Sequence, residues 1–312
     1  MLIEQRITDN GIETIDKVQV AIDRIIGFKD IAMLKSPLGY YVGVSGGKDS
    51  TVLEYLFWLA KQQCPDLQYE LHHNHTTMDA PETVYYIREM QKYWQSNGIQ
   101  YIIHKPRYKD EPTSIYKMLA IKGVPTRLRR WCCELFKEGG GKGWCCSFGV
   151  RWQESEKRKG RGIYEIIAKN QTNRVIRNND NNETRQTFET CQKYDKYALN
   201  PIIDWSDYEV WEFIRAYKLK YNPLYDKGYK RVGCVGCPMS SRQKQEFNYY
   251  PKFKANYIRA CQKFVDSHKD IAERLKWRSG EDMFAWWVSG KAIQKDSGQM
   301  TFEDYMEDIY NE

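Results

Sequence analysis

The fold class is decided by one stretch of sequence, Tyr40-Tyr41-Val42-Gly43-Val44-Ser45-Gly46-Gly47-Lys48-Asp49-Ser50. Its apolar first half predicts a buried strand, and the segment from Thr51 to Gln63 predicts an amphipathic helix. The adjacent glycines allow a tight turn whose backbone N–H groups face an anion, and Ser50 is positioned to cap the helix. Lys48 adds a mobile cation. The stretch therefore predicts a strand, a phosphate-binding loop and a helix in direct succession.

This loop is not a Walker A loop. The pattern G-x-x-x-x-G-K-[ST] would need Gly at position 42 and Ser or Thr at position 49, where this sequence has Val42 and Asp49. A kinase-like or GTPase-like function therefore loses its main support. Taken alone, the loop could also be a glycine-rich turn that starts a core helix.

Short β-rich runs and helical runs alternate after the loop. Strands are expected at 69–73, 99–104 and 145–150, and helices at 81–96 and 114–121. Such alternation predicts an α/β fold with a doubly wound, mainly parallel sheet of the Rossmann-like kind, in which ligands bind at the carboxyl ends of the strands.

The chain divides into three expected regions. An N-terminal segment, 1–36, is expected to be helical because it has apolar residues at helical spacing, namely Ile12, Ile15, Val18, Val20, Ile22, Ile25 and Ile26. Residues 37–240 are expected to form the nucleotide-binding domain, with a mobile, Asn-rich insertion at 170–187. Residues 241–312 are expected to form a helical extension whose aromatic side chains lie mostly in a core.

Composition limits the cellular setting and the partners. The 312 residues are 41% hydrophobic and 29% charged, and they show neither a membrane-spanning run nor a signal peptide, so a cytoplasmic location and no membrane partner are expected. The net charge is +7, and residues 127–161 contain ten Lys or Arg against four Glu. This basic stretch could contact a nucleic-acid backbone, neutralise a nucleotide's phosphates, or be a solvated face.

Residues 45–50 resemble the loop of the PP-loop ATP pyrophosphatases, which cleave ATP between the α- and β-phosphates. Further segments are similar to elements of the phosphoadenylyl-sulfate reductase family in the same superfamily. Pro81-Glu82-Thr83 matches the end of its D-T-G-x-x-F-P-E-T element, although Ala80 stands where the family has an aromatic residue. Gly149 to Arg158 is similar to its G-I-R-x-x-E-S-x-x-R element.

Two later segments extend the resemblance. Asn200 to Trp211 resembles N-P-I-x-D-W-x-x-x-D-V-W with Glu209 in place of Asp, and Ser206 and Glu209 also have the spacing of a capping box. Tyr221 to Pro238 closely matches Y-N-P-L-Y-x-x-G-Y-x-R-x-G-C-x-x-C-P. On these segments, which follow the family order, the chain is identified as a member of this family.

The resemblance implies a nucleotide site with magnesium. The residues it assigns to binding ATP are Ser45, Gly46, Gly47, Lys48, Asp49, Ser50, Glu82, Thr83, Gly149, Arg151, Ser155 and Arg158. Three of them are expected to be catalytic: Lys48 and Arg151 would neutralise charge developing on the phosphates, and Asp49 would bind Mg²⁺ directly or through water.

The nine cysteines are not expected to form a disulfide framework in a cytoplasmic chain. The resemblance implies that a [4Fe-4S] cluster is held by Cys132, Cys133, Cys234 and Cys237. Adjacent thiolates suit a cubane because each can bind its own iron, whereas zinc, the alternative, favours C-x₂₋₄-C spacing.

The other cysteines have different expected roles. Cys145 and Cys146 lie on a predicted strand, where they are either small hydrophobic residues or substitute ligands for the cluster. Cys64, Cys191 and Cys261 stand alone and are expected to be structural.

Two departures indicate the branch of the family. Sulfonucleotide reductases carry a nucleophilic cysteine in a C-terminal tail, and no cysteine follows Cys261 here. Those reductases also have a degraded phosphate loop, whereas residues 45–50 are complete. The pattern resembles most closely the iron–sulfur DNA phosphorothioation and tRNA thiolation ATPases.

The expected function is ATP cleavage to AMP and pyrophosphate, adenylation of a substrate, and sulfur transfer to it. The resemblance implies a nucleic-acid substrate and a cysteine desulfurase or another sulfur donor, with DNA, tRNA or a small metabolite left open. One alternative is a sulfonucleotide reductase with its nucleophile at Cys145, Cys146 or Cys261. The other is a protein that senses an adenine nucleotide or redox state without turnover.

Overall fold

A computed structural model describes residues 2–8, 11–167, 175–177 and 196–290 of the chain. Their contacts group the chain into two compact units. The first, called the sheet unit, comprises Met1–His73, Pro81–His104 and Gly140–Val232. The second, called the helical unit, comprises Asn74–Ala80, Lys105–Gly139 and Gly233–Glu312. We propose that the regions 1–36, 37–240 and 241–312 are the N-terminal segment, the nucleotide-binding domain and the helical extension of the sequence.

The first half of the described chain contains these elements in order: β1 (Ile3–Thr8), β2 (Gly11–Asp16), α1 (Lys17–Gly27), α2 (Lys29–Lys35), β3 (Tyr40–Gly43), α3 (Lys48–Gln63), β4 (Tyr69–Asn74), α4 (Pro81–Ser96), β5 (Tyr101–His104), β6 (Arg107–Tyr108), β7 (Glu111–Pro112), α5 (Ile115–Lys122) and α6 (Trp131–Cys133). A π-helical turn, Glu134–Glu138, continues α6.

The second half continues with β8 (Cys145–Ser147), a 3₁₀ turn (Trp152–Glu154), α7 (Glu156–Lys159), β9 (Tyr164–Ile167), β10 (Val175–Arg177), β11 (Lys196–Leu199), α8 (Asp207–Ala216), α9 (Gln243–Tyr249), α10 (Pro251–Ser267), α11 (Lys269–Arg274) and α12 (Gly280–Ser289). None of the helices in the described part of the chain is both long and apolar enough to span a bilayer.

The sheet unit is built on a seven-stranded sheet of order β10-β9-β11-β8-β3-β4-β5. Strand β3 is parallel to β4 and to β8, and β8 is parallel to β11, whereas β9 is antiparallel to both β11 and β10. Helices cover both sides of the sheet. The predicted α/β fold with a mainly parallel sheet is confirmed, and the phosphate loop leaves the carboxyl end of a central strand.

The apolar pattern of the sequence explains why β3 and α3 pack together. Tyr40 and Val42 of β3 are fully buried, and so are the residues that α3 turns towards the core, Val52, Leu53, Leu56, Phe57 and Ala60. Each large aliphatic or aromatic side chain buried in this way contributes about 1.5–3 kcal/mol. The loop between strand and helix is therefore held at both ends by well-packed elements.

The helical unit has its own core. Helix α5 contributes Ile115, Met118 and Leu119, and α10 contributes Tyr257 and Phe264, all of which are at most 1% exposed. The predicted core role of the C-terminal aromatics is confirmed for Tyr257, Phe264, Trp277, Phe284 and Trp287, whereas Tyr249 is 56% exposed.

The N-terminal region differs from the predicted helix. Residues Ile12 and Ile15 lie in β2, which pairs with β1 as an antiparallel hairpin, and Ile12 is 70% exposed. The helix begins at Lys17 because Asp16 caps it, accepting a 2.9 Å hydrogen bond from the Val18 backbone N–H. The apolar residues keep helical spacing across Asp16, so the sequence predicts a single helix where the structure has a hairpin followed by a helix.

The start of α3 also differs from the prediction. Gly47, not Ser50, is the N-cap residue, and Ser50 lies in the first turn, where its hydroxyl donates to the Gly47 carbonyl at 2.8 Å. Residues 170–187, predicted to be mobile, lie outside the described residues except for Val175–Arg177, which forms β10, and Cys191 also lies outside them.

Candidate functional site

The phosphate loop of the sheet unit is shaped by two glycines and closed by its serines. Gly46 has a φ of +76°, and a Cβ there would lie 3.1 Å from the Thr83 side chain. The Ser45 hydroxyl accepts from the Gly47 N–H at 3.3 Å and lies 3.3 Å from the Ser50 hydroxyl. The N–H groups of the first helical turn have no intrahelical acceptor, so the start of α3 points donors and a positive dipole end towards the loop.

Two cations are held beside the loop by two carboxylates. Lys48 and Arg151 are only 5% and 2% exposed. The Asp49 carboxylate accepts from Arg151 Nε at 2.6 Å and lies 3.2 Å from Lys48 Nζ. Asp207 Oδ1 lies 3.0 Å from both Lys48 Nζ and Arg151 Nη2. The three residues predicted to be catalytic are therefore brought together, and Asp207 joins them.

Asp207 was not predicted as a site residue. It is the first residue of α8, and Ser206 and Glu209 cap that helix with the predicted capping box. Burial works to raise its pKa, but Lys48 and Arg151 outweigh burial, so the pKa of Asp207 lies below its ordinary value. Its side chain is nevertheless 57% exposed. Asp207 is thus an ionised carboxylate at the open side of the two cations.

Gly149 allows a second segment to approach the loop. A Cβ at this position would lie 2.9 Å from the backbone carbon and oxygen of Asp49. The chain can therefore pass directly over the start of α3 and deliver Arg151, which Glu154 fixes by accepting from the Arg151 backbone N–H at 3.2 Å. The family resemblance predicts Gly149 as a site residue, and its close approach to the Asp49 backbone explains why a glycine is needed at this position.

A third segment holds the loop from the far side. Asn222 is fully buried, and its amide donates to the Gly46 carbonyl at 3.2 Å and to the Thr83 hydroxyl at 3.0 Å. The hydroxyl of Tyr225 accepts from the Lys48 backbone N–H at 2.9 Å. The pattern Y-N-P-L-Y does not by itself predict a role for these side chains, and their contacts show that Asn222 and Tyr225 support the loop.

The remaining predicted nucleotide residues have other partners. Glu82 accepts from Lys227 at 2.6 Å, and Arg158 pairs with Glu154. Burial is the main cause that lowers the pKa of Arg158, with Arg231 and Arg161 acting in the same direction. Ser155 is exposed at the start of α7. These residues border the site, whereas Thr83 contributes to it through Asn222.

The nucleotide loop has the donor set that ATP and magnesium need. Helix N–H groups and the cations Lys48 and Arg151 suit phosphate oxygens. The carboxylate of Asp49 offers the oxygen ligands that Mg²⁺ prefers. The arrangement can therefore bind a polyphosphate and stabilise negative charge that develops on it.

Four of the predicted metal ligands line one cavity in the helical unit. Cys132 and Cys133 belong to α6, and Cys234 and Cys237 belong to a turn in which the Cys237 N–H donates to the Cys234 carbonyl at 3.3 Å. Gly236 of this turn has a φ of +76°, and a Cβ there would lie 2.1 Å from the Phe247 ring. A glycine is required at that position for the two later cysteines to converge.

The electrostatics of the cavity differ from one cysteine sulfur to the next. The Cys132 thiol donates to the Cys133 sulfur, which raises the pKa of Cys132 and lowers the pKa of Cys133 to about 6. Burial raises the pKa of Cys234, and Lys137 opposes it. In turn, Cys234 is the main cause that raises the pKa of Lys137. Four converging thiols with a lysine ammonium beside them form a donor set that fits an anionic iron–sulfur cluster.

Cys145 and Cys146 are placed elsewhere. Both are fully buried in β8 of the sheet unit, where Cys145 pairs with Tyr40 of β3. The Cys146 sulfur packs against Gly141, where an added Cβ would lie 2.3 Å from it. Their surroundings are those of small hydrophobic residues. Cys64 contacts Asp66 and Cys261 is fully buried in α10.

Comparison with known proteins gives a family match over most of the sheet-forming region. The model of the phosphoadenosine phosphosulfate reductase domain matches residues 39–240. An uncharacterized protein of Methanocaldococcus jannaschii is 27% identical over 245 residues, which are 77% of this chain and 43% of that protein. The chain thus spans less than half the length of this relative.

Two further similarities concern named enzymes. The adenosine 5′-phosphosulfate reductase of Allochromatium vinosum is 51% identical over 39 residues, which are 12% of this chain and 15% of the reductase. The solved structure of the U34-tRNA thiolase NcsA from Methanococcus maripaludis, with its [4Fe-4S] cluster, has a TM-score of 0.45 and 14% identity, covering 92% of this chain and 84% of the thiolase.

Proposed function

The chain belongs to the phosphoadenosine phosphosulfate reductase domain family, and from that premise we propose that it is a PP-loop enzyme that cleaves ATP to AMP and pyrophosphate, adenylates an acceptor and supports sulfur transfer to it. The observation that carries this proposal is the convergence of Lys48, Asp49 and Arg151 at the start of α3. A complete phosphate loop with two buried cations suits a substrate that still has its pyrophosphate.

The proposed reaction begins with adenylation. A nucleophilic oxygen of the acceptor attacks the α-phosphorus of ATP, and the bond from that phosphorus to the bridging oxygen breaks. Pyrophosphate leaves with the electron pair of that bond. Lys48 and Arg151 stabilise the charge that accumulates on the phosphate oxygens, and Asp49 supplies a carboxylate for Mg²⁺. Because both cations are nearly excluded from water, their effect on the transition state is stronger than at the surface.

The second part of the proposal concerns sulfur. Cys132, Cys133, Cys234 and Cys237 would hold a [4Fe-4S] cluster, with Lys137 compensating its negative charge. When bound, such a cluster supplies iron that can bind and deliver sulfur. The terminal sulfur of a persulfide donor, such as a cysteine desulfurase, would attack the adenylated acceptor and displace AMP. A thiol reductant would then cleave the S–S bond that still joins acceptor and donor, which leaves the sulfur on the acceptor and a disulfide between the reductant and the donor.

Nucleic acid is the proposed acceptor class. The basic stretch at 127–161 supports it, since its Lys and Arg residues other than Lys137 and Arg151 number eight against four Glu and would attract a phosphate backbone. DNA and tRNA are both consistent with this charge. Binding to such an acceptor should weaken as salt increases, because counterions are released from the backbone.

The test uses anaerobically purified protein with ATP, Mg²⁺ and either tRNA or duplex DNA. We expect about four iron atoms per chain and release of pyrophosphate, and Lys48→Ala should abolish that release while leaving the iron content unchanged. Lys61→Ala, at the far end of α3, is the matched control. A protein without iron that releases no pyrophosphate with any nucleic acid would refute the proposal, and zinc in place of iron would refute its cluster part.

A sulfonucleotide reductase is the second candidate, and the local similarity to an adenosine 5′-phosphosulfate reductase favours it. This enzyme would release sulfite from adenylyl sulfate, or from its 3′-phosphorylated form, with thioredoxin as reductant. Sulfite production without pyrophosphate release from ATP would select this candidate. A nucleotide or redox sensor, the remaining alternative, would bind ATP without turnover even with Lys48 intact.

A further inference from the structure

The Tyr225 hydroxyl occupies an unusual position at the phosphate loop. It accepts the backbone N–H of Lys48 at 2.9 Å, and this N–H is one of the donors that the start of α3 presents to an anion. The Tyr225 ring packs edge-on against Trp211, with the ring centres 5.0 Å apart. A donor of the loop is thus already taken by a side chain whose position is fixed by packing.

The hydrogen of this hydroxyl is still available. Burial raises the pKa of Tyr225 to about 12, the amides of Lys48 and Val232 work to lower it, and the charges of Asp49 and Asp207 raise it. The phenol is therefore protonated near neutral pH. Among the described residues, none accepts a hydrogen bond from Tyr225. The Tyr225 hydroxyl oxygen therefore accepts a hydrogen bond, while its O–H group remains able to donate one.

We propose that Tyr225 is a phosphate-binding residue that keeps its hydrogen bond from the Lys48 N–H and donates its own hydrogen to a phosphate oxygen of the bound nucleotide. The inference rests on the proposed function, because it assigns a further ligand to the same ATP site. The number of donors at the loop is unchanged in this arrangement, because the Tyr225 O–H donates to the phosphate in place of the Lys48 N–H that it accepts. Each bond of such a chain polarises the next and strengthens it.

The surroundings of Tyr225 direct an anion to this donor. Lys48 Nζ and Arg151 lie beside the same loop and attract phosphate. The Gly47 backbone passes so close that a Cβ there would lie 3.5 Å from the Tyr225 hydroxyl. A phosphate group bound at the loop would therefore have the neutral Tyr225 hydroxyl and the cations Lys48 and Arg151 as hydrogen-bond donors for its oxygens.

The test compares Tyr225→Phe with Tyr221→Phe in the full chain. Tyr221 is the matched control because it lies in the same segment, also packs edge-on against Trp211, and donates its hydroxyl to Asp226 at 2.9 Å. Affinities for pyrophosphate, ATP and adenosine are measured by calorimetry with Mg²⁺ present, together with the Tm of each variant. We expect Tyr225→Phe to weaken pyrophosphate and ATP binding about tenfold, with adenosine binding unchanged and a Tm close to that of Tyr221→Phe, which also loses one hydroxyl hydrogen bond. Tyr221→Phe should leave all affinities unchanged.

Other outcomes overturn the inference. If Tyr225→Phe binds pyrophosphate as tightly as the wild type or more tightly, the hydroxyl only fills the place of a phosphate oxygen and leaves when the nucleotide binds. If adenosine binding falls with the affinity for pyrophosphate, and the Tm falls below that of Tyr221→Phe, Tyr225 has a structural role. A wild-type protein that binds neither ATP nor pyrophosphate would instead refute the proposed function.

Discussion

At the residue scale, the nucleotide loop depends on side chains that are distant in the sequence. Lys48 and Asp49 come from the loop, Arg151 arrives over Gly149, and Asp207 and Tyr225 come from later segments. The charges alternate, so every cation contacts a carboxylate. This arrangement pairs two nearly buried cations with carboxylates until a phosphate replaces part of these contacts.

Asp207 is expected to compete with the nucleotide. Its carboxylate lies between Lys48 and Arg151 and would repel incoming phosphates, so Asp207→Asn should tighten ATP binding by a factor of about three to ten and steepen its salt dependence. The dissociation constant is measured at low and high ionic strength.

The control for Asp207 is Asp23→Asn on α1, which changes the net charge equally and should leave the affinity unaltered. Weaker ATP binding by Asp207→Asn would contradict this role and would indicate that the carboxylate helps to hold the nucleotide complex.

At the element scale, α3 carries the loop at its start and a buried acid in its middle. Glu54 is fully buried, and its carboxylate accepts a 2.6 Å hydrogen bond from the Trp94 indole of α4. Burial raises the pKa of Glu54 to about 8. The acid is therefore neutral near pH 7, and the two helices are joined by a bond that needs no charge.

The free energy of unfolding should fall as the pH rises from about 4.5 to about 8. The ordinary pKa of Glu54 is 4.5, so over this range the folded state holds a proton that the unfolded state has lost. The total loss is on the order of 5 kcal/mol, since each pKa unit is worth about 1.4 kcal/mol. Urea unfolding at several pH values measures it.

The matched variants for this pH dependence are Glu54→Gln and Glu89→Gln. Glu54→Gln keeps a group that can accept from Trp94 and should flatten the profile. Glu89, which is exposed on α4, should leave the profile unchanged when replaced. An equally steep profile in Glu54→Gln would assign the titration to another group.

Some helices and caps can be predicted from the sequence because neighbouring residues specify them. The helix at 81–96 and the capping box at Ser206 and Glu209 are specified by neighbouring residues, and the structure has them where the sequence placed them. The hairpin at Ile3–Asp16 was missed because its apolar residues continue the spacing of α1 across Asp16.

At the scale of the whole molecule, the two candidate sites belong to different compact units. Every contact described for the phosphate loop lies within the sheet unit, and the four cysteines proposed to hold a cluster lie within the helical unit. The family pattern identified both sets of residues. The contacts of Asp207, Asn222 and Tyr225 could not be read from it, because they depend on how segments more than a hundred residues apart are brought together.

Removal of one proposed cluster ligand should affect iron binding without affecting the phosphate loop. Cys237→Ala is expected to lose most of its iron after anaerobic purification, because one of four ligands is missing, while retaining affinity for pyrophosphate. Iron is measured by elemental analysis and pyrophosphate binding by calorimetry.

Cys145→Ala is the comparison variant, since its sulfur is fully buried in β8. It should keep the full iron content. The reverse result, with iron lost from Cys145→Ala and kept by Cys237→Ala, would assign the cluster to the other adjacent pair of cysteines.

The division into two units has a consequence for how the chain is made. The boundaries after residues 73, 80, 104, 139 and 232 mean that the growing chain enters and leaves each unit repeatedly. Residues 45–50 leave the ribosome long before Asn222 and Tyr225, and at about 5–20 residues per second the delay is roughly 10–35 seconds. During that interval the nascent loop lacks both of these later contacts, so its phosphate cradle is completed only late in translation.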